Sequence, residues 1–482
     1  MFKKICLLFW VLSSLAACHK QEATPQHRDI RFAVAQAPIN LDPRYATDAA
    51  SARVNRLLFR SLVSFDASSK PIADLATWKL ISPTHYRFTL GEGGRSFHDG
   101  SHLNAKDVMA TYESLMGLKD SPLSAEFSDV NQIQVLDDNT LDFYLKEADN
   151  AFPAKLIIGI LPASQISQGR DFSHHPIGSG PLEFVSWQST LQFKRMTDGK
   201  LITLLEVKDP TVRVLKLIRG EADILQGDLP PELVRYLKRQ PNIKVSESNG
   251  TNFSYLGFNL QDIALSNIKV RQAVAHAINR QEIIEQALVG QTRSAGAILP
   301  PEHWAGNGAL EPYTYNPTLA KQLLQEAGVK MPLKLVYKTS TDAQRVRLAT
   351  IMQAQMAAAG IALEIKSLDW GTFFEDVKQG HFQLYGLTWV GINTPDIYAK
   401  AFGSDNAPPK GFNRGRFSDT HLDALLVKED WQSATNYIHQ QLPYVPLWYE
   451  GQFAAMRADI TGYTLKSDGN WDGLATVIKK SR

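Results

Sequence analysis

Along residues 86–116 the spacing of apolar positions changes period once, and that change predicts two elements. Tyr86, Phe88 and Leu90 alternate with Arg87 and Thr89, the period-two signature of a half-buried strand. Gly91, Gly93 and Gly94 make a flexible turn, Phe97 returns to an apolar face, and Asp99-Gly100 is a turn dipeptide. Asn104 then offers an N-cap oxygen, with Asp107 at the third helical position as in a capping box. Val108, Tyr112 and Leu115 follow at helical spacing as one buried stripe. Elsewhere residues 30–35 alternate as a strand and run into proline-rich, irregular chain at residues 37–43. The pattern predicts a helix over 51–65, with Val54, Leu57, Leu58, Ser61 and Leu62 facing inward. Residues 133–135 and 141–145 flank Asp137-Asp138-Asn139 as a hairpin. From residue 319 helices and strands alternate: helix 319–327 closed by Gly328, strand 333–337, helix 343–359 closed by Gly360, strand 361–365, helix 370–378 ending at Gly380, and strand 382–389. Residues 462–478 read as further strands. Such alternation predicts an α/β layer architecture.

The amino terminus reads as an address. Lys3 and Lys4 precede an apolar run at 5–15, too short to span a bilayer, and Leu15-Ala16-Ala17-Cys18 resembles a lipobox. The expectation is a lipoprotein signal peptide over 1–17, lipidation at Cys18 and a polar tether over 18–28. The only other cysteine, Cys6, lies inside the removed segment, so the mature chain has no disulfide, thiol nucleophile or thiolate metal ligand. No other stretch reaches the roughly 18 apolar residues of a membrane span. Removing Lys3 and Lys4 brings 51 basic residues level with 49 acidic ones, which argues against nucleic acid as a partner. At 482 residues the chain suggests two or three domains.

Candidate chemistry is thin. His98 and His102 flank the Asp99-Gly100 turn, which breaks any shared helical face, and no His-Glu-x-x-His pattern occurs. Those histidines, and His174-His175, read as surface or turn residues, and the paired acids Asp137-Asp138 and Glu429-Asp430 as solvated. Gly178-Ser179-Gly180-Pro181 lacks both the Lys-Ser/Thr of a phosphate loop and the spacing of a nucleophile elbow. No nucleophile–base set can be named, so no catalytic residue, metal site or cofactor is expected.

The order of motifs says more. Phe88-Thr89-Leu90, then Phe97-His98-Asp99-Gly100-x-x-Leu103-x-Ala105-x-Asp107-Val108, closely resembles the signature of family 5 solute-binding proteins, the extracytoplasmic receptors of peptide, nickel and related ABC importers. The resemblance extends through Leu41-Asp42-Pro43, Leu62-Val63-Ser64-Phe65-Asp66, the glycines at 178–180, and Gly220-Glu221-Ala222-Asp223. It continues in Tyr255-Leu256-Gly257-Phe258-Asn259, in the helix-forming run from Val270 to Arg280, and in Pro443-Tyr444-Val445-Pro446-Leu447. The segment 427–441 is shorter than the long helix the family usually places there.

The resemblance implies a type II periplasmic-binding-protein clamshell: two α/β lobes, with an extra domain in the first. Lobe I would comprise 29–50, 178–262 and 460–482, the extra domain 51–177, and lobe II 263–459. It implies a non-enzymatic monomer in the periplasm or at the cell surface, held to the membrane by its lipid alone, handing a peptide or other small solute to ABC permease subunits. His19 stands where relatives retained at an inner membrane often carry Asp, which in a Gram-negative host would direct the protein to the outer membrane, and the choice between inner and outer membrane stays open. The ligand would lie between Ala35, Gln36 and Ala37 on one wall and Trp389, Gly391, Ile392 and Asn393 on the other, with Tyr255 and Asn259 near hinge or cleft. Main-chain recognition suits an extended peptide whatever its side chains. Many dipeptide and oligopeptide receptors carry Trp-x-x-Asp, whose carboxylate neutralises the ligand's amine; here Ile392 stands in its place. Asp396 is the candidate substitute. A nickel complex, haem or another small molecule, or a ligand-sensing role on the same fold, is the alternative.

Overall fold

Two long strands, Ile243–Phe258 and Tyr444–Arg457, run antiparallel through the middle of an eleven-stranded sheet in the computed structural model, which describes residues 29–46 and 48–480. Their pairing slips between Ser248 and Asn252. There Gly250 lies so close to the Glu450 carbonyl that an added Cβ would sit 1.6 Å from it, which only glycine tolerates. Beyond the slip each strand changes partners.

On one side the sheet continues through Ile224–Gln226, Ile30–Val34, Leu201–Glu206, Leu191–Arg195 and Leu182–Trp187. Phe32, Leu182, Phe193, Ile202, Met456, Trp471 and Leu474 share one core on this side. On the other side Leu384–Trp389, Leu333–Ser340 and Ile361–Leu368 extend the sheet. Helix Ala343–Ala358 crosses it, and Met352 and Met356 pack with Leu256, Leu335 and Ile361. In each half the inner strands are parallel. These are the two lobes of a type II binding-protein fold.

A separate four-stranded antiparallel sheet, in the order Ala76–Ser82, His85–Leu90, Thr140–Leu145 and Val130–Val135, carries helix Ala105–Gly117. Val108, Tyr112 and Leu115 pack with Phe88, Leu141 and Phe143, as the spacing predicts. Both bonds of the capping box form, with the Asn104 N–H donating to Asp107 Oδ2 at 2.8 Å.

Three elements differ from the sequence-based expectation. The helix expected over 51–65 is Ala49–Leu58; Phe59 turns extended, and Val63–Phe65 is a strand. The apolar stripe divides, Val54, Leu57 and Leu58 joining the first lobe's core while Leu62 and Val63 join the small sheet's core. The run 270–280 splits into Ile268–His276 and Arg280–Ala287, because Asn279 caps the second helix. Residues 462–478 form few strand pairs, only Ile460–Thr461 with Ile478–Lys479, yet Trp471, Leu474 and Val477 are buried in the first lobe. Among the described residues no helix is long and apolar enough to cross a membrane, and no three of His, Cys, Asp and Glu group as metal ligands. Cys18 and the leader lie outside the described residues.

Candidate functional site in the interlobe cleft

The carboxyl ends of parallel strands are where α/β sheets place ligands, since loops and helix N-termini converge there. Here those ends are Val34 and Gln226 in the first lobe and Ser340, Leu368 and Trp389 in the second. The helices that follow them meet across the gap. Arg347, on Ala343–Ala358, pairs with Glu232 on Pro231–Lys238 at 2.7 Å, and Arg235 donates to the Gln286 carbonyl at 2.9 Å. At another edge the Trp304 N–H donates to the Ser68 carbonyl at 3.0 Å, linking lobe II to the small domain. The structure is thus a clamshell bridged at two rims.

On the first lobe's wall, Ala35, Gln36 and Ala37 follow directly on Ile30–Val34, with Gln36 exposed and both alanines half-buried. Ser51 Oγ, at 2.9 and 3.1 Å, accepts from the N–H groups of Ile39 and Asn40 and holds the segment's exit.

The second lobe's wall is built around Trp389, at the end of Leu384–Trp389 and paired in register with Phe253. Its half-buried ring stacks near Tyr255, centroids 6.4 Å apart, and Arg414 lies over it at 4.7 Å. Gly391 turns the chain with φ +70. The Asn393 carbonyl, 3.0 Å from His303 Nε2, is engaged from the lobe's own side. Because His303 Nδ1 accepts the Ala305 N–H at 3.0 Å, Nε2 carries the proton and donates. Burial also pushes the His303 pKa down, favouring this neutral form.

Not every expected site residue converges here. Asn259 sits at the opposite end of its strand from Trp389, where its Nδ2 donates to the carbonyls of Gly380 and Phe382. Its place corresponds to a structural tie, not a cleft position. Ile392, half-buried, packs one side against the second lobe's aromatic core. Asp396 is occupied: Lys400 Nζ is 2.7 Å from its Oδ2, and Thr394 donates to its Oδ1. To receive a ligand amine it would have to exchange those partners.

Sequence reasoning missed three residues. Arg414 reaches the Tyr255 hydroxyl at 3.3 Å and borders a narrow aromatic pocket beside Trp389. His303 fixes Asn393. Glu450 lies at the slip between the long strands, with Oε1 2.6 Å from Ser254 Oγ and 3.1 Å from Thr388 Oγ1 and no cation within ion-pair distance among the described residues. None sits in a periodic pattern. Only the pairing of distant strands brings them to Trp389.

The motifs that resembled chemistry are packing devices. The His98 N–H donates to the Gly178 carbonyl at 2.8 Å and its Nε2 lies 3.0 Å from the Gly180 carbonyl, so the two signature loops clasp each other. A Cβ on Gly178 would fall 1.9 Å from the Leu58 carbonyl, and one on Gly180 2.4 Å from that of Leu57. The glycines serve close approach to the helix end, not phosphate.

Comparison with known proteins agrees with this architecture. The profile for bacterial extracellular solute-binding proteins, family 5 (middle region), matches residues 70–408. The dipeptide-binding protein of Escherichia coli (strain K12) is 25% identical, over 87% of this chain and 91% of that protein. Heme-binding protein A of Haemophilus influenzae is 26% identical over 90% and 89%. The crystal structure of the ABC transporter substrate-binding protein CtaP from Listeria monocytogenes superposes with a TM-score of 0.84 at 22% identity, covering 94% of this chain and 99% of that one. With the two-lobed fold, the ordered motifs and a profile that spans most of its length, this chain belongs to the family 5 bacterial extracellular solute-binding proteins.

Proposed function

We propose that this protein is the extracytoplasmic receptor of an ABC importer, capturing a peptide in the interlobe cleft and delivering it to a membrane permease. The observation that supports the reading is that strands Ile30–Val34 and Leu384–Trp389 end in the two lobes of a chain of this family, and we read the segments that follow them, Ala35–Ala37 and Val390–Asn393, as the two walls of the cleft. Extended peptide backbone can pair with both walls irrespective of side chain. Ligand shifts the clamshell toward closure only to the extent that it touches both lobes. The role is binding, without covalent chemistry.

Export, lipidation at Cys18 and action as an anchored monomer belong to the same proposal, supported by the leader sequence. So does an extra domain in the first lobe, whose own core runs from Leu62 to Ile160.

A second reading, a non-peptide solute, is favoured by Ile392. A buried ammonium with no counter-charge is heavily penalised, and Asp396 is engaged by Lys400. Native mass spectrometry of the purified protein, before and after mild denaturation, separates the two. A heterogeneous set of released peptide masses supports peptide capture. A single non-peptide mass rejects it, and no bound mass together with no thermal shift on adding peptide pools counts against both.

A further inference from the structure

Two buried arginines, Arg271 and Arg195, spend their donors on protein acceptors and set the comparison for Arg414. Arg271 donates to the carbonyls of Leu442, Leu265, Ser266 and Gln441. Arg195 pairs with Asp198 at 2.7 Å and donates to the Val477 carbonyl. Arg414 is 9% exposed, yet among the described residues its guanidinium has one protein acceptor, the Tyr255 hydroxyl at 3.3 Å from Nη1, and no carboxylate.

Its other contacts are with ring faces. The guanidinium carbon lies 4.7 Å from the Trp389 centroid, 5.5 Å from Phe374 and 5.6 Å from Phe412. Aromatic faces compensate part of the loss of water but accept no in-plane N–H bond, so Nε and Nη2 have no protein partner among the described residues. The neighbouring cation Arg416 is held apart by its own acceptors, the carbonyls of Arg414 and Lys378. The position is rigidly set, because buried Asn413 bonds the carbonyls of Gly403 and Phe417 and accepts the Phe417 N–H. The narrow pocket between Arg414, Trp389, Tyr255 and Phe412 measures about 20 Å³, room for a headgroup the size of one or two waters rather than a whole ligand.

We propose that Arg414 is a ligand-recognition residue that receives a carboxylate of the captured solute, within the aromatic pocket beside Trp389. A carboxylate matches the planar fork of the two unpartnered nitrogens, and the surrounding low dielectric strengthens the pair. This deepens the receptor reading and rests on it: the solute is anionic at the end that enters lobe II, consistent with a wall that offers Ile392 instead of a carboxylate.

Benzoate tests the pocket without knowledge of the full ligand, with benzamide as its uncharged isostere. In the full protein labelled with ¹⁵N at arginine Nε, the Arg414 resonance is assigned by its loss in Arg414→Lys. Benzoate is expected to shift it saturably, at least about tenfold more tightly than benzamide, the scale of one charge-assisted bond. Arg414→Gln, checked for an unchanged thermal unfolding midpoint, is expected to abolish the preference, measured as quenching of tryptophan fluorescence. No saturable shift, equal response to benzamide, or a preference that survives Arg414→Gln overturns the proposal. Closure with peptide pools in solution scattering, alongside any of those failures, leaves the receptor reading standing. Failure of closure as well removes both.

Discussion

Gly180 shows how a single residue fixes the seam between the first lobe and the small domain. Its N–H donates to the Leu58 carbonyl at 2.8 Å, and there is no space for a side chain against the Leu57–Phe59 backbone. Gly180→Ala is expected to lower stability by about 3 kcal/mol in urea unfolding. Gly100→Ala meets nothing within 4 Å and is expected to cost only about 1 kcal/mol for its positive φ. A smaller loss at 180 than at 100 would refute this account. Within the first lobe itself, buried Asp223 pairs with Arg31 and Lys479. Burial pushes its carboxyl up, the bonds from Arg31 and from Lys479 push it down, and the net shift is downward. A carboxyl held below its unfolded value of about 3.9 stabilises the fold above that pH and loses the contribution as pH falls through the folded value. Asp223→Asn should therefore flatten the acid limb of the stability–pH profile and lower stability near neutrality by about 3 kcal/mol. An unchanged acid limb would exclude Asp223 as a contributor.

At the scale of elements, the run from Val270 to Arg280 shows why a motif outlines an element without stating its purpose. Both arginines of the motif are staples: Arg271 holds carbonyls at 441–442, and Arg280 holds those of Pro446, Ala275 and Tyr313. Arg271 ties the first short helix to the end of helix Trp431–Gln441, and Arg280 ties the second to the long strand Tyr444–Arg457. Arg280→Met, which leaves those carbonyls without their donor, is expected to destabilise by about 3 kcal/mol. Binding of a co-purified ligand by the folded fraction should remain unchanged, and a selective loss of affinity at full stability would mark Arg280 as part of the cleft instead. The break at Ala277–Asn279 has a local cause: the Asn279 side chain accepts the Glu282 N–H and restarts the helix. A period-based reading runs through such a cap because the apolar spacing does not lapse.

For the whole molecule, the bridges across the cleft set how readily it opens. Glu232 and Arg347 are both about half exposed, 54% and 43% by side chain, so their pair contributes at most about 1 kcal/mol and is weakened by salt. Glu232→Gln is expected to raise the ligand dissociation constant two- to threefold at low ionic strength, by about the scale of one surface pair. The effect should vanish at high salt, as read by calorimetry. An effect independent of salt would mean that the carboxylate acts through something other than this pair.

What the sequence determined by itself was everything carried by local period and local capping. The strand through Tyr86, Phe88 and Leu90, the capped helix from Ala105, and the helices closed by Gly328, Gly360 and Gly380 all stand where the residues predict. Motif order sufficed for the family and hence the clamshell. The tertiary structure decided where those elements meet. It divided one apolar stripe between two cores at Phe59, tied Asn259 to the carbonyls of Gly380 and Phe382, packed half-buried Ile392 against an aromatic core, and gave Asp396 a lysine. It also brought Arg414, Tyr255 and Trp389 together from three separate segments. Period and capping depend on neighbours within about one helical turn, whereas burial and charge pairing depend on residues far apart in sequence, and only the packed chain supplies those.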